Sequence, residues 1–407
     1  MKKVNVIGLG YIGLPTALMF AAHGVEVIGT DYNKDLVDTL NAGKTTFEED
    51  GLDELFEKAL SKGIKFTTEY THNNIYIVSV PTPYEKENKK IDPKYVISAV
   101  ESVLEVCEKG TILVIESTVS PGTIDRFVRP TITNKGYVIG KDIHLVHAPE
   151  RIIPGNMIYE LKHNSRTIGA DSKEIGEKVK ELYSSFCEGE IVVTDIKTAE
   201  MTKVVENTFR DINIAFANEL SRICRADGMD VYEIIRIANK HPRVNILQPG
   251  PGVGGHCISV DPWFLVGDYP EIVNVIKSAR EVNDGQPAFV IDRIKEIMKE
   301  NNINDISKVG LYGLTYKDNV DDVRESPTLQ MLEIMGEEAE KVKIYDPLIN
   351  KDIVKNQLHN FDEFINGVEI IVILNAHDEL KENMDKIQDK IILDTKNIVK
   401  DINVYKI

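Results

Sequence analysis

The 407-residue chain has the composition of an ordinary globular protein, with 42% hydrophobic and 28% charged residues. This length predicts two or three domains with full hydrophobic cores, which need neither disulfides nor metals for stability. A formal net charge of -17 argues against a nucleic-acid partner, because most of the surface would repel a polyanion.

The four cysteines indicate a reducing compartment, because no two of them are spaced as Cys-x-x-Cys. No Cys/His cluster has the spacing of metal ligands, so we expect no metal. The simplest role for Cys107, Cys187 and Cys224 is that of a small buried apolar residue.

The N-terminal residues predict a strand, a tight turn and a helix. A charge-free run, Val4–Ala22, follows Lys2-Lys3 and resembles a signal peptide or membrane anchor. Glycines and a proline interrupt this run, and no other segment is long and apolar enough to span a bilayer. We therefore expect a cytoplasmic protein with no membrane partner. The predicted elements are a strand at 3–8, a helix at 14–23 and a strand at 25–30.

The alternation of strand and helix patterns continues through the next hundred residues. Apolar strand signals lie at 75–80, 111–116 and 143–147, with helical patterns between them. Alternating strands and helices imply a parallel sheet that is covered by helices on both faces.

From about residue 197 the apolar residues change to three- and four-residue spacing, which predicts one long amphipathic helix without proline. More helix follows at 230–240. Pro249, Pro251 and Pro262 bracket a glycine-rich cysteine segment, which we expect to form a loop or turn. The apolar positions of the long helix are Met201, Val204, Val205, Thr208, Ile212, Ala215, Phe216, Leu220 and Ile223.

The C-terminal part returns to strand–helix alternation. Its strand signals lie at 309–314, 341–345, 368–374 and 391–394. The predicted fold class is therefore α/β, with an N-terminal domain at 1–196, a central all-helical domain at 197–302 and a C-terminal domain at 303–407. The two α/β domains could be distant structural echoes of each other.

The turn after the first predicted strand carries a dinucleotide fingerprint. Gly8, Gly10 and Gly13 fit G-x-G-x-x-G, in which the glycines allow a tight turn, approach of a pyrophosphate and close helix packing. Asp31 ends the next strand and would bind ribose hydroxyls while repelling a 2′-phosphate. NAD is thus favoured over NADP as the cofactor of this Rossmann-type domain. The alternative is a glycine-rich turn with no ligand and a surface aspartate.

Two later strands end in loops at the same predicted carboxyl edge of the sheet. These loops are Val80-Pro81-Thr82-Pro83 and Ser117–Thr123, which contains Thr118. Ligands of open α/β sheets bind at this edge. Taken alone, the two segments are equally well explained as ordinary proline turns.

The glycine-rich segment Gly252–Cys257 places a thiol next to a turn, with Asp261 four residues later. A hydride acceptor combined with a nucleophilic thiol suggests oxidation past an aldehyde to an acid, through a thioester. Asp261 lies one turn beyond Cys257 if this segment is helical, and could act on water. Glu150 is another candidate acid or base, whereas His256 is expected to face the substrate or to pack. The alternative is an inert cysteine.

Two pairs of polar residues are candidates for binding anionic groups. Lys203 and Asn207 lie one turn apart on the long helix and could together stabilise an oxyanion. Lys317 and Arg324 follow a C-terminal strand and could hold phosphate. The simpler alternatives are a solvated helix face for the first pair and a charged loop for the second.

These motifs together resemble the UDP-glucose/GDP-mannose dehydrogenase family over essentially the whole chain. The matching blocks follow the family's order: GLGYIG, VPTP, STVSPGT, the Lys203/Asn207 helix, GVGGHC with Asp261, and KDNVDDVRESP. Within the family, GVGGHCISVDPWF, with His256 and Trp263, is more similar to the UDP-N-acetylhexosamine 6-dehydrogenases than to the UDP-glucose enzymes.

The resemblance implies an NAD domain, a central helical domain whose long helix forms a dimer core, and a C-terminal sugar-nucleotide domain. The expected assembly is a homodimer or a dimer of dimers. Two successive hydride transfers are implied, with Cys257 forming a thiohemiacetal and then a thioester that water cleaves to the uronate. In this scheme Lys203 and Asn207 stabilise oxyanions, and Asp261 activates water. Glu150 and Thr118 are also implied to take part in catalysis. The residues implied to bind the cofactor are Gly8, Gly10, Tyr11, Ile12, Gly13, Asp31, Pro81, Thr82, Thr118 and Arg324. Those implied to bind the substrate are Glu150, Arg151, Lys203, Asn207, Arg243, Gly254, His256 and Lys317.

Some residues depart from the family pattern. Val260 stands where the UDP-glucose enzymes carry lysine, which supports a different sugar, and Lys396 stands where many relatives carry arginine. One rival function is a single-hydride hydroxyacid or 6-phosphogluconate-type dehydrogenase, which needs neither the thiol nor residues 303–407. Another is a non-catalytic nucleotide-binding protein. The C2 configuration of the hexosamine stays open between mannosamine and glucosamine.

Overall fold

The computed structural model describes residues 3–255, 257–400 and 404–407. The chain divides into two compact units, Met1–Glu206 and Asn207–Ile407, and each unit contains one β-sheet. Among the residues that the structure describes, no helix combines the length and the apolarity needed to cross a membrane.

The first unit is built on an eight-stranded sheet in the order β3-β2-β1-β4-β5-β6-β7-β8. Its strands are β1 Lys3–Ile7, β2 Glu26–Thr30, β3 Lys65–Thr67, β4 Ile75–Val78, β5 Thr111–Ile115, β6 Ile143–His147, β7 Arg166–Ala170 and β8 Ile191–Thr194. Its helices are α1 Gly13–Ala22, α2 Lys34–Asn41, α3 Leu52–Ser61, α4 Lys94–Val106, α5 Arg129–Asn134, α6 Met157–His163 and α7 Lys173–Tyr183, and a π-helical turn at Ile124–Val128 precedes α5.

One strand departs from the predicted arrangement. The first six strands are parallel, which confirms the predicted parallel sheet, whereas β7, a strand that the sequence did not reveal, runs antiparallel to β6. The ladder pairs Val146 with Ala170 and His147 with Gly169. An antiparallel neighbour needs no crossover over the sheet face, so the chain re-enters the sheet at the edge where β6 ended. Arg166, the first residue of β7, therefore lies at the carboxyl edge of the parallel strands.

The apolar N-terminal run forms β1 and α1 rather than a membrane segment. Every residue of α1 is buried, which explains why its sequence carries no charge. Phe20 of this helix lies with its ring centroid 5.1 Å from that of Tyr183 and 4.9 Å from that of Phe186. Burial on all sides of a core helix produces the same sequence pattern as a short membrane anchor.

The second unit is built on a six-stranded, wholly parallel sheet in the order β11-β10-β9-β12-β13-β14. The four predicted C-terminal strands are confirmed, and β11 and β14 are two-residue strands that the sequence did not reveal. The strands are β9 Val309–Tyr312, β10 Lys343–Tyr345, β11 Gln357–Leu358, β12 Ile370–Ile373, β13 Ile391–Asp394 and β14 Tyr405–Lys406.

Helices make up the rest of the second unit. The predicted long helix is confirmed as α8 Ile196–Ala226, which begins in the first unit and has 31 residues. The other helices are α9 Val231–Ala238, α10 Asp261–Asp268, α11 Val275–Asp284, α12 Gln286–Glu300, α13 Pro327–Met335, α14 Phe361–Asn366 and α15 Asp378–Glu382, with short 3₁₀ turns at Ile306–Lys308, Gly336–Glu340 and Met384–Ile387.

A buried ion pair joins α8 to α11 inside the second unit. Arg280 donates to a carboxylate oxygen of Asp211 at 2.5 Å, and the Asn283 amide donates to the same oxygen at 2.8 Å. Burial of a charge is tolerated where it is paired and hydrogen-bonded, so this contact fixes the position of α8 within the unit.

Candidate active site

The first turn of the N-terminal sheet has the shape that a dinucleotide requires. Gly8 adopts a φ of 87°, and its N–H donates to the carbonyl oxygen of Thr30 at 2.8 Å. A Cβ on Gly13 would lie 1.8 Å from the Gly8 carbonyl oxygen, so only glycine lets α1 approach the turn. A Cβ on Gly10 would meet no atom of a non-neighbouring residue within 4 Å, which leaves that backbone open to a phosphate group. These residues fit NAD.

Asp31 follows β2 and is held beside this turn. Its Oδ2 accepts the N–H of Leu9 at 2.8 Å, and its Oδ1 accepts the N–H of Asn33 at 2.9 Å. Each carboxylate oxygen has a second lone pair, which a ribose hydroxyl can use. Tyr11 and Ile12, predicted to contact the cofactor between the glycines, are half-buried in the same turn.

The two proline-containing loops meet at one edge of the first sheet. The Thr82 hydroxyl donates to the carbonyl oxygen of Thr118 at 2.6 Å, and the Val80 N–H donates to the Ser117 hydroxyl oxygen at 2.8 Å. Thr82 is buried, whereas Pro81 is exposed. The structure therefore brings Thr82 and Thr118 together, as expected for loops that follow neighbouring strands.

Sequence reasoning missed Glu200, which holds the second of these loops in place. Its carboxylate accepts the N–H of Gly122 at 2.6 Å and the N–H of Ile124 at 2.9 Å. Burial raises the pKa of Glu200 to about 7, although the two N–H groups act in the opposite direction. No sequence pattern identifies such a residue, because its partners are backbone groups far back in the chain.

Glu150 follows β6, and its carboxylate already binds two donors. One oxygen accepts a hydrogen bond from the guanidinium of Arg166, and the other accepts one from the backbone N–H of Arg151 at 2.6 Å. The Arg151 side chain extends to the Thr167 hydroxyl at 3.0 Å and pairs with Glu206. Arg151, predicted to bind substrate, is thus held by protein groups in this structure.

Arg166 belongs to a buried cluster that the sequence did not predict. Glu116 is 1% exposed and Arg166 is 3% exposed, and their Oε1 and Nη1 atoms are 3.5 Å apart. The Tyr183 hydroxyl donates to the same Glu116 oxygen at 2.9 Å, and the guanidinium carbon lies 4.3 Å from the Tyr183 ring centroid. Burial raises the pKa of Glu116 to about 7, against the lowering effect of Arg166.

Three predicted catalytic residues come together in the second unit. Cys257 is exposed, and its carbonyl oxygen accepts the N–H of Asp261 at 2.9 Å, so the two residues lie one helical turn apart. Asp261 begins α10 and is buried. Its Oδ2 accepts the side-chain amide of Asn207 at 2.5 Å. The spacing that suggested one turn between thiol and carboxylate is confirmed.

Lys203 lies on α8 one turn before Asn207, and residues at this spacing share a helix face. Only 7% of Lys203 is exposed. The alternative of a solvated helix face is therefore wrong for this lysine, since an ammonium group is seldom buried without a specific role.

A loop that follows β9 packs against the cysteine segment. A Cβ on Gly254 would lie 2.6 Å from both the Glu325 carbonyl oxygen and the Tyr316 Cβ. The Gly255 N–H donates to the carbonyl oxygen of Arg324 at 2.9 Å. The glycines before Cys257 therefore allow two loops to pack closely, in addition to allowing the turn.

The same loop carries the predicted phosphate-binding pair. Arg324 donates from Nη2 to Oδ2 of Asp322 at 2.6 Å, which fixes the guanidinium at the surface. The backbone carbonyl oxygen of Lys317 accepts the Thr315 hydroxyl at 3.0 Å. Both cationic residues thus lie on a loop that is tied down by short polar contacts.

Two predicted substrate residues stand outside these clusters. Arg243 lies on an exposed turn after α9, and within the described part of the chain its side chain joins none of the hydrogen bonds around Cys257. His256 lies outside the described residues. No group of His, Cys, Asp and Glu side chains in the described ranges could hold a metal ion.

Comparison with known proteins covers the whole chain. Three models of the UDP-glucose/GDP-mannose dehydrogenase family match it: the NAD binding domain at residues 2–187, the central domain at 197–285 and the UDP binding domain at 310–401. The UDP-N-acetyl-D-mannosamine dehydrogenase of Methanococcus maripaludis is 45% identical over 412 aligned residues, which cover 98% of this chain and 93% of that protein.

Two further relatives extend the comparison. The NDP-N-acetyl-D-galactosaminuronic acid dehydrogenase of Ralstonia nicotianae is 40% identical, covering 98% of this chain and 96% of that protein. The solved UDP-N-acetyl-mannosamine dehydrogenase of Staphylococcus aureus is 43% identical, with a TM-score of 0.89, and covers 100% of this chain and 98% of that chain. The chain therefore belongs to the UDP-glucose/GDP-mannose dehydrogenase family of NAD-dependent nucleotide-sugar dehydrogenases.

Proposed function

We propose that the chain catalyses the NAD-dependent, four-electron oxidation of the C6 alcohol of UDP-N-acetyl-D-mannosamine to the uronate. The observation that carries this proposal is the cluster of Cys257, Asp261 and Asn207, linked by one helical turn and one hydrogen bond. A single oxidation of an alcohol needs no thiol, whereas oxidation through a thioester needs both a sulfur nucleophile and a group that acts on water. The names of the Methanococcus and Staphylococcus relatives support the choice of sugar.

The first oxidation converts the alcohol to the aldehyde with release of a proton. The Gly8–Gly13 turn would hold NAD, which would supply the hydride acceptor for the first oxidation, and a second NAD bound after release of NADH would supply it for the second. Lys203 and Asn207 donate hydrogen bonds to the sugar oxygen as negative charge develops on it. The Cys257 thiolate then attacks the aldehyde carbon, forming a carbon–sulfur bond, and the aldehyde oxygen takes up a proton to give a thiohemiacetal. The second oxidation removes a hydride from the carbon and a proton from the oxygen, and leaves a thioester on the same sulfur.

Hydrolysis completes the reaction. Asp261 takes a proton from the attacking water, the carbon–sulfur bond breaks, Cys257 leaves as the thiolate and the product is a carboxylate. The hydrogen bond from Asn207 supports this role, because it fixes the Asp261 carboxylate. We assign Glu150 to the same hydrolytic step and Thr118 to ordering the water or the cofactor.

Binding of a nucleotide sugar requires local cations, because the chain carries a net charge of -17. Lys317 and Arg324 lie on the loop that packs against the cysteine segment, so they are our candidates for contacting phosphate groups. Gly254 supports the same loop contact. We also assign Arg243 and His256 to the substrate, on the family resemblance alone.

We propose a homodimer that forms along α8. Val205, Phe209, Phe216 and Ile223 are exposed at spacings of four and seven residues, so they form one apolar stripe, in which Phe209 is 69% exposed. Replacing Phe209 with Glu should convert the dimer to a monomer in sedimentation equilibrium. A wild-type protein that is monomeric at micromolar concentration would exclude this assembly.

Three hexosamine derivatives are candidates for the sugar. UDP-N-acetyl-D-glucosamine is the first alternative, because it differs from the mannosamine derivative at one stereocentre. The Ralstonia relative favours testing a galactosamine derivative as well.

The cysteines bear on where the protein works. None of the four cysteines forms a disulfide, which is consistent with a protein that works in the reducing cytoplasm.

The test is a panel of UDP-sugars assayed for NADH and acid formation. UDP-N-acetyl-D-mannosamine should give the highest kcat/KM, with two NADH for each uronate. A higher value with the glucosamine derivative would change the substrate but not the chemistry. One NADH for each sugar, with free aldehyde as product, would favour the single-hydride rival, and no NADH with any sugar would favour the non-catalytic one.

A further inference from the structure

The antiparallel strand β7 places Arg166 opposite Glu150. The ladder pairs Val146 with Ala170 and His147 with Gly169, and continuing this register past His147 brings residue 150 opposite residue 166. The Arg166 guanidinium donates to one oxygen of Glu150, and the Arg151 N–H binds the other. A parallel β7 would have started at the opposite edge of the sheet, so this contact exists only because the strand is reversed.

Arg166 is itself held from two sides. Its Nη1 lies 3.5 Å from Oε1 of Glu116, the residue that directly follows β5, and its guanidinium lies over the ring of Tyr183 at the end of α7. The Tyr183 hydroxyl donates to the same oxygen of Glu116 at 2.9 Å. The arginine is thus fixed by groups on neighbouring elements before it reaches Glu150.

We propose that Arg166, held by Glu116 and Tyr183, is a positioning residue that fixes the carboxylate of Glu150 for hydrolysis of the thioester. This inference rests on the proposed function, in which Glu150 takes part in that step. Both Glu150 oxygens accept one hydrogen bond from the protein, so the carboxylate has one orientation, and each oxygen keeps a lone pair for water or substrate.

The charges in the cluster favour this arrangement. The titratable groups that face Glu116 are Arg166, Glu150 and Tyr183, and the Thr16 hydroxyl faces it as well. The Cys187 thiol also faces Arg166. Two buried carboxylates share one guanidinium, so the cluster is neutral only when one carboxyl group is protonated. Burial raises the pKa of Glu116 to about 7, so the Glu116 carboxyl group is partly protonated near neutrality. A protonated Glu116 leaves the full charge of Arg166 to Glu150.

A double-mutant cycle in the full-length protein tests the proposal. We would compare wild type with R166K, E150Q and the double variant, using stopped-flow NADH formation with UDP-N-acetyl-D-mannosamine. R166K keeps a cation but loses the planar fork of donors. We expect it to give a burst of two NADH for each site, and then a steady rate about 10-fold or more below wild type. In the E150Q background, R166K should change the steady rate by less than about twofold.

The control is R129K, which alters another arginine of the first unit that binds two carboxylates, those of Asp125 and Asp171. It should leave the burst and the steady rate unchanged. The proposal would be overturned if R166K lowered the burst of NADH and the steady rate by the same factor. It would also be overturned if the double variant lost the product of the two single-variant factors in steady rate. Wild-type protein that makes no NADH would instead overturn the proposed function, and with it this inference.

E116Q gives a second readout that does not depend on removing the arginine. Glutamine keeps an acceptor for Tyr183 and resembles the protonated acid. The ratio of the E116Q steady rate to the wild-type rate should increase as the pH passes about 7, because only wild type then develops a second charge beside Arg166. A ratio that stays constant from pH 6 to pH 8.5 would contradict this part of the account.

Discussion

The two sheets of this chain begin with the same turn. The first six strands of the first sheet have the same spatial order as the six strands of the second sheet. In each sheet the first strand along the chain lies between the second and the fourth. The Gly8 N–H donates to the Thr30 carbonyl oxygen, and the Gly313 N–H donates to that of Tyr345, both at 2.8 Å. Both glycines have positive φ.

The residue after each glycine repeats a second contact. Leu9 donates its N–H to Asp31 at 2.8 Å, and Leu314 donates its N–H to Asp346 at 2.6 Å. In both units the aspartate directly follows the second strand of the sheet. These matching contacts therefore support, at this turn, the prediction that the two α/β parts have similar structures.

Beyond these shared contacts the two turns diverge. In the first unit the open Gly10 and the packed Gly13 bring α1 in directly after the turn. In the second unit Thr315 and Asp318 occupy the corresponding positions, and α13 begins only at Pro327. One turn thus keeps a site for a pyrophosphate, whereas the other leads into the loop that packs against the cysteine segment. The same backbone hydrogen bonds therefore precede two different continuations of the chain.

The largest expected effect separates the roles of the two units. Cys257→Ser should lower kcat for uronate formation by about 10⁴-fold, because the hydroxyl is a far poorer nucleophile at neutral pH. The dissociation constant of NADH should stay within about twofold of wild type, as measured by fluorescence titration. Acid formation at an unchanged rate would remove Cys257 from its assigned role.

The next prediction compares matched positions of the two turns. Gly13→Ala should destabilise the protein by more than about 3 kcal/mol, because the added Cβ overlaps the Gly8 carbonyl oxygen. Asp318→Ala, at the corresponding place in the second unit, should cost about 1 kcal/mol, the loss of its hydrogen bond to the Ala376 N–H and its ion pair with Lys396. Urea denaturation checks both values, and equal losses would show that the turns are not differently packed.

A third prediction concerns acid stability of the second turn. Burial alone would raise the pKa of Asp346, but the hydrogen bond from His377 and the Leu314 N–H hold it below its usual value. The carboxylate therefore stabilises the fold above the unfolded-state pKa near 4, and this contribution is lost as the pH falls through the lower folded-state pKa. Asp346→Asn should cost about 2 kcal/mol at pH 7 and flatten the loss of stability below pH 4.

Thermal unfolding between pH 2.5 and pH 7 measures this effect. If Asp346→Asn lost stability more steeply than wild type as the pH falls below 4, the predicted effect of this carboxylate would have the wrong sign.

The smallest expected effect tests the open position of the first turn. Gly10→Ala adds a Cβ that meets no other part of the protein, so stability should change by less than about 1 kcal/mol. KM for NAD should increase by about 10-fold, since the methyl group occupies space needed by the pyrophosphate. Unchanged NAD binding would place the cofactor elsewhere.

Much of the fold could be predicted from the sequence because its signals are local. Strands such as IYIVSV and TILVIE are apolar and bounded by turn residues, and the long stretch without proline gave α8. The reversed strand β7 was missed because RTIGA is short, begins with a charge and contains glycine. Missing that strand also concealed Arg166, since only the antiparallel register brings it to Glu150.

The site was partly predictable for the same reason. The turn between Cys257 and Asp261 could be inferred from spacing, but the hydrogen bond from Asn207 to Asp261 joins residues on separate helices. Spacing along a chain carries no information about such a contact. Glu200 likewise binds backbone groups of a distant loop, so its role became visible only in the structure.

The central claim is that the Cys257 sulfur carries the fully oxidised sugar as a thioester until water releases the uronate. The most direct measurement is the mass of the Cys257 peptide, acid-quenched during turnover of Asp261→Asn with UDP-N-acetyl-D-mannosamine and NAD. Slow hydrolysis in this variant should accumulate a peptide that carries the sugar-nucleotide acyl group, with two NADH formed for each modified thiol. An unmodified Cys257 peptide throughout turnover, with uronate still released, would contradict the account.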